Sequence, residues 1–147
     1  MKLYLELMES FSVSVINLGD DRVGASSVSR ILSQNGIKLK ECGRLKGIEC
    51  HIVVITPDMV KALNPKSEKV SRFDYVRLAN PSARYIFILN KVHAGDEQSI
   101  PLLKQWGYEV AGMIPNTFEP GVSDKKKAFP FFDDLIYELQ YYLMTLF

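Results

Sequence analysis

Residues Arg84 to Val92, RYIFILNKV, constrain the fold more than any other stretch of the chain. Apolar, β-branched and aromatic side chains occupy both alternating sets of positions. An extended strand with this pattern hides both of its faces, as strands of a parallel sheet covered by helices do. Cys50 to Thr56, CHIVVIT, repeats the pattern and is followed by Pro57. Phe11 to Leu18 and Tyr108 to Ile114 read as further strands, and Lys2 to Leu7 as an additional one before them.

Between these strands the apolar period lengthens. Ser26 to Asn35 reads as a helix with Val28, Ile31 and Leu32 on one face, ended by Asn35-Gly36, residues that accept a left-handed conformation. Pro57 to Leu63, Ser71 to Leu78 and Asp96 to Trp106 are expected as helices, with Pro101 placed in the first turn of the last. Pro130 to Leu146 is expected as a long closing helix. Alternating strands and helices predict an α/β fold: three layers, a mostly parallel sheet with helices on both faces. At 147 residues, without an internal repeat or linker, the chain is expected to form one domain over residues 1–147.

Charge excludes some partners. The chain carries 18 basic and 17 acidic residues, a net charge of +1, and no basic stripe with interleaved aromatics, which argues against a nucleic-acid-binding module. The one charge run, Asp124-Lys125-Lys126-Lys127, reads as a solvated loop. The start of the chain lacks the basic end and apolar core of a signal peptide, and no apolar run approaches a membrane span, so a cytoplasmic location is expected. Cys42, Cys50, His51 and His93 fall into no metal-binding spacing; they read as buried or incidental side chains, and no metal site is expected.

The stretch NLGDDRVGASS, Asn17 to Ser27, lies between a strand and a helix, where ligands of such sheets bind. Gly19, Gly24 and Ser26 match the first glycine, last glycine and magnesium-binding hydroxyl of a G-x-x-x-x-G-K-[ST] phosphate loop. Ala25 stands where the lysine belongs, and Asp20 and Asp21 place two carboxylates where phosphate requires positive potential. The outline of a phosphate cradle is present without its chemistry. A capped strand-to-helix turn is the plainer reading.

Three further segments, in order, carry a resemblance. CHIVVITPDMVKAL, YIFILNKV and LLKQWGYEVAGMIPN resemble the corresponding strand-to-helix, asparagine-bearing strand and closing helix-strand segments of MinD/ParA-type (deviant Walker A) P-loop ATPases. With the loop, the resemblance spans about residues 11 to 146. It implies a short, degenerate P-loop-NTPase-like domain. Both loop lysines of that family are missing, and the segment 37–49 is too short for its switch segment and the strand ending in a Walker B aspartate. By position the resemblance implies Ser26 as magnesium hydroxyl, Asn90 as the base-edge contact, and Pro115 and Asn116 as lining of a base pocket. Asn90-Lys91-Val92-His93 also resembles the guanine-reading N-K-x-D of small GTPases, with a histidine where the aspartate belongs.

These departures lead to an expectation of no catalysis and no cofactor, with ATP or GTP and magnesium disfavoured. Function then falls to the surface. In the closing helix Phe132, Ile136, Leu139, Leu143 and Leu146 form one apolar stripe, and Tyr137, Tyr141 and Met144 a second. A helix with two stripes is either buried on both sides or offers one to a partner, and tyrosine and methionine suit interface cores. The expected function is a non-catalytic adaptor or regulator acting through protein contacts or self-association. The resemblance implies a positioning, secretion or polysaccharide system. The alternative is a nucleotide-dependent switch or weak ATPase/GTPase with an atypical loop.

Overall fold

A computed structural model describes residues 13–18, 24–37, 39, 50–67, 71–115 and 135–141 of the chain. Four strands lie side by side in chain order: β1 (Val13–Asn17), β2 (Cys50–Ile55), β3 (Arg84–Val92) and β4 (Glu109–Pro115). Every neighbouring pair is parallel. Cys50 pairs with Val13 on one side and Arg84 on the other, so the amino ends of the first three strands are level.

Alternation along β2 divides its side chains between two clusters of buried residues. Cys50, Ile52 and Val54 join Val13, Ile86 and Ile88 in the first. Val53 and Ile55 join Ile16, Phe87 and Leu89 in the second. All six residues of β2 are buried, which explains why its sequence is apolar without alternation. Helix α1 (Ala25–Gln34) supplies Val28, Ile31 and Leu32 to the first cluster. Leu135, Ile136 and Leu139, from helical residues 135–141 (α4), join the same cluster. Gly112 of β4 faces this helix: a Cβ there would lie 3.1 Å from Leu135 Cδ1, so the glycine lets helix and strand approach.

The second cluster receives Val60 and Leu63 of a 3-10 segment (Pro57–Leu63), Phe73 of α2 (Arg72–Ala79) and Leu103 of α3 (Ser99–Gln105). Phe73 makes edge contacts with Tyr85, Phe87 and Tyr108 at centroid distances of 5.2, 5.0 and 5.8 Å. Edge-on aromatic geometry adds to the area these rings hide.

Helix ends follow local chemistry. α1 closes with a Schellman motif: Ile37 N donates to Leu32 O at 3.0 Å, Gly36 N to Ser33 O at 3.3 Å, and Gly36 has φ 87°. α2 opens with a capping box, in which Ser71 Oγ accepts from Asp74 N at 3.2 Å and Asp74 Oδ2 accepts from Ser71 N at 2.8 Å. The bond from Ser71 N–H, with smaller help from the Ser71 hydroxyl and Arg77, holds the Asp74 carboxyl below its ordinary pKa, against the opposing effect of burial.

The sequence-based element types need two corrections. Pro57 to Leu63 winds as 3-10 helix, not α-helix. Pro57 at its start donates no hydrogen bond, and Met59 N reaches Thr56 O and Asn64 N reaches Lys61 O, three residues back. Asp96 to Trp106 is not one helix. A 3-10 turn (Asp96–Gln98) precedes α3, and Pro101 occupies the third position of α3, where its missing N–H costs no helical bond. α1 begins one residue earlier than expected, at Ala25, and β4 extends to Pro115. The strand expected at residues 2–7, the segment 37–49 apart from Ile37 and Leu39, and most of the expected closing helix lie outside the described residues.

Candidate functional site at the carboxyl ends of the strands

Parallel strands direct their carboxyl ends to one side, and there α1 begins. Gly24 precedes its first residue with φ 82° and ψ 24°, and its carbonyl accepts from Val28 N at 3.1 Å. No side chain caps this helix. Asn90, near the end of β3, lies against the glycine: a Cβ on Gly24 would lie 2.6 Å from Asn90 Nδ2. Both the positive φ and the approach of Asn90 therefore require glycine at this position.

Lys91 follows in a left-handed conformation of its own, with φ 57°. That conformation is uncommon for a residue with a side chain. The Lys91 Cε lies 3.7 Å from the position a Gly24 Cβ would take. A lysine stem from β3 thus reaches the N-terminus of α1, one residue from where Ala25 leaves the loop without its own lysine. Sequence reasoning counted Lys91 only as the basic neighbour of Asn90. Its proximity to Gly24 depends on β3 and α1 ending together, which linear spacing does not reveal.

The remaining residues named from the sequence are placed as follows. Asn90 is buried, at 7% exposure. Ala25 is half-buried against the first cluster and Ser26 is exposed on the opening turn of α1. Pro115 ends β4 and pairs with Val92, so it shares the carboxyl end with Asn90. His93 is exposed in the turn after β3, and its backbone N–H donates to Asp96 Oδ2 at 2.9 Å. Gly19, Asp20, Asp21, Arg22 and Asn116 lie outside the described residues. So do Cys42, Phe132, Leu143, Met144, Leu146 and the Asp124–Lys127 run.

Tyr137 and Tyr141 are 69% and 59% exposed, one helical turn apart on α4; Glu138 is exposed beside them, and Leu135, Ile136 and Leu139 are buried. Cys50 is fully buried, and burial pushes its thiol up to about 12, with Arg84 lowering and Glu109 raising it to smaller extents. It is protonated at neutral pH. Among the described residues no three metal-capable side chains gather, and no helix is long and apolar enough to cross a membrane.

Comparison with protein-family models, with curated proteins and with solved structures gives no match.

Proposed function

We propose that this chain is a non-catalytic adaptor or regulator that works through protein–protein contacts. It is built on a three-layer, P-loop-NTPase-like α/β domain resembling the MinD/ParA type. The two buried clusters supplied by different helices support the three layers. The observation that carries the functional reading is the division of α4: Leu135, Ile136 and Leu139 are buried while Tyr137 and Tyr141 point outward. Two exposed tyrosines one turn apart give a rigid, amphipathic contact area at low entropic cost, the composition of interface cores. At the carboxyl end, Ala25 brings no cation to α1, and Asn90 braces the turn at Gly24 from within the protein.

The occupant we assign to the tyrosine face is a second copy of the chain. Sedimentation of the natural protein at micromolar concentration is expected to show a dimer, and Tyr137→Ser with Tyr141→Ser a monomer of unchanged melting temperature. A natural protein that sediments as a monomer sinks self-association through this face.

One observation favours a second reading, a nucleotide-dependent switch. The Lys91 stem reaches the α1 N-terminus, where an anion is favoured. On this reading ATP or GTP with magnesium raises the melting temperature, since ligand at 100 times Kd adds roughly 2.7 kcal/mol. Lys91→Ala removes that rise. Failure of the natural protein to respond leaves the adaptor.

A further inference from the structure

The amino end of the sheet holds a buried polar pair beside the last turn of a helix. Ser14 and His51 are fully buried and share one register line with Tyr85 across β1, β2 and β3. Ser14 Oγ lies 2.7 Å from His51 Nδ1. The Tyr85 ring stacks on the imidazole at 5.3 Å, and the side chain of Asn80, which ends α2, comes within 3.3 Å of it. The end of α2 therefore lies against the histidine.

Carbonyl oxygens only accept, so the bonds that fix this helix end have one polarity. The Tyr85 hydroxyl donates to Asn80 O at 2.7 Å and, on the same side, to Val76 O at 3.3 Å. Val76 O also accepts from Asn80 N at 3.1 Å, and Asn80 O from Ala83 N at 3.4 Å. One phenol thus gathers the final turn of α2 and the chain leading into β3.

Apolar anchoring is concentrated at the other end of the helix. Phe73, its second residue, is the one buried side chain of α2; Val76 is half-buried, and Tyr75 and Leu78 are 64% and 76% exposed. By contrast α1 buries Val28, Ile31 and Leu32. The start of α2 is held by its capping box and by Arg72, which donates to Leu18 O at 3.1 Å. A helix of 8 residues has little stability of its own. Its last turn gives up few apolar contacts on leaving the sheet, the property of segments that open locally.

We propose that the last turn of α2 is a gate over the Ser14–His51 pair, latched by the Tyr85 hydroxyl and pivoting on the capped, Phe73-anchored start of the helix. When the turn swings away, solvent and small reagents reach an imidazole that the closed structure seals, while the sheet stays folded.

The chain's 2 histidines supply the reporter, because His93 is exposed and His51 fully buried. Diethyl pyrocarbonate acylates accessible neutral imidazole, and peptide mass spectrometry reads each histidine separately. In the natural protein at neutral pH, His93 is expected to react at once. His51 should react slowly, at a rate that low urea leaves unchanged, because local opening exposes little surface. A His51 rate equal to that of His93, or one that climbs with urea as steeply as global unfolding, overturns the gate. Tyr85→Phe keeps the stacked ring and removes the latch, and should accelerate His51 modification about tenfold with His93 unchanged. Tyr108→Phe is the matched control, since the Tyr108 hydroxyl donates to Leu63 O at 2.6 Å, at the end of the 3-10 segment. It should leave the His51 rate as it is. No acceleration by Tyr85→Phe, or equal acceleration by Tyr108→Phe, overturns the proposal.

Discussion

The two ends of the sheet solve opposite problems. At the amino end, polar groups are matched by partners from other elements: the buried Ser14 and Asn80 on His51, and the half-buried Arg84 on Glu109 through two bonds of 2.6 and 2.7 Å. At the carboxyl end the backbone is unusual: Gly24 and Lys91 both have positive φ, and Asn90 fills the space a side chain at 24 would need. A parallel sheet leaves its carboxyl ends as the natural ligand side. Left-handed backbone at Gly24 and Lys91 marks that end, and side-chain hydrogen bonds between elements mark the other.

Substitutions test that division, beginning with the largest effect. Phe73→Ala removes the ring at the centre of the aromatic cluster near the amino end, and should cost about 3–5 kcal/mol in denaturant unfolding. A loss no larger than that of the carboxyl-end variants would break the contrast.

Gly24→Ala forces a side chain into positive φ and to within 2.6 Å of Asn90 Nδ2, and about 2 kcal/mol is expected to be lost. Combining it with Asn90→Ala should recover part of that loss, because the clash is gone and the backbone strain remains. Full additivity in the double-mutant cycle would show that Asn90 does not brace the turn.

Cys50 supplies a pH test of the amino end. Its thiol pKa rises from 9.0 to about 12 on folding, so its proton is held by the folded chain after the unfolded chain has lost it. The stabilisation is complete below pH 9.0 and is lost as pH climbs from 9.0 toward about 12, by at most roughly 1.4 kcal/mol per pH unit. Cys50→Ala should flatten this part of the alkaline profile; matching profiles would place the thiol in contact with solvent.

Arg84→Met is expected to have the smallest effect, under about 1 kcal/mol, because the Arg84 and Glu109 side chains keep 20% and 36% of their exposure and water screens the pair. High salt should shrink the difference further, as measured by urea unfolding at two ionic strengths.

Much of the fold was legible because its strands are buried on both faces. RYIFILNKV and CHIVVIT could be placed almost to the residue, since neither fits a half-exposed strand or an amphipathic helix. Short segments were harder. Pro57 to Leu63 has helical residues but too few turns to favour α over 3-10 winding, so tertiary packing of Val60 and Leu63 decides its form. At the candidate site, glycine at 24 and asparagine at 90 stood out by type, while their contact did not. His51 read as a buried or incidental side chain because a lone histidine shows no periodic or spaced signal.

From the sequence alone came the α/β class, the strand positions and the absence of a lysine at 25, because these depend on residue type and local period. The tertiary structure decided which residues meet. Gly24 with Asn90, Lys91 with the start of α1, and Ser14 with His51 and Asn80 are separated by tens of residues and joined by the level register of parallel strands. Burial of a side chain follows from its own chemistry; the partner it finds there follows from the sheet.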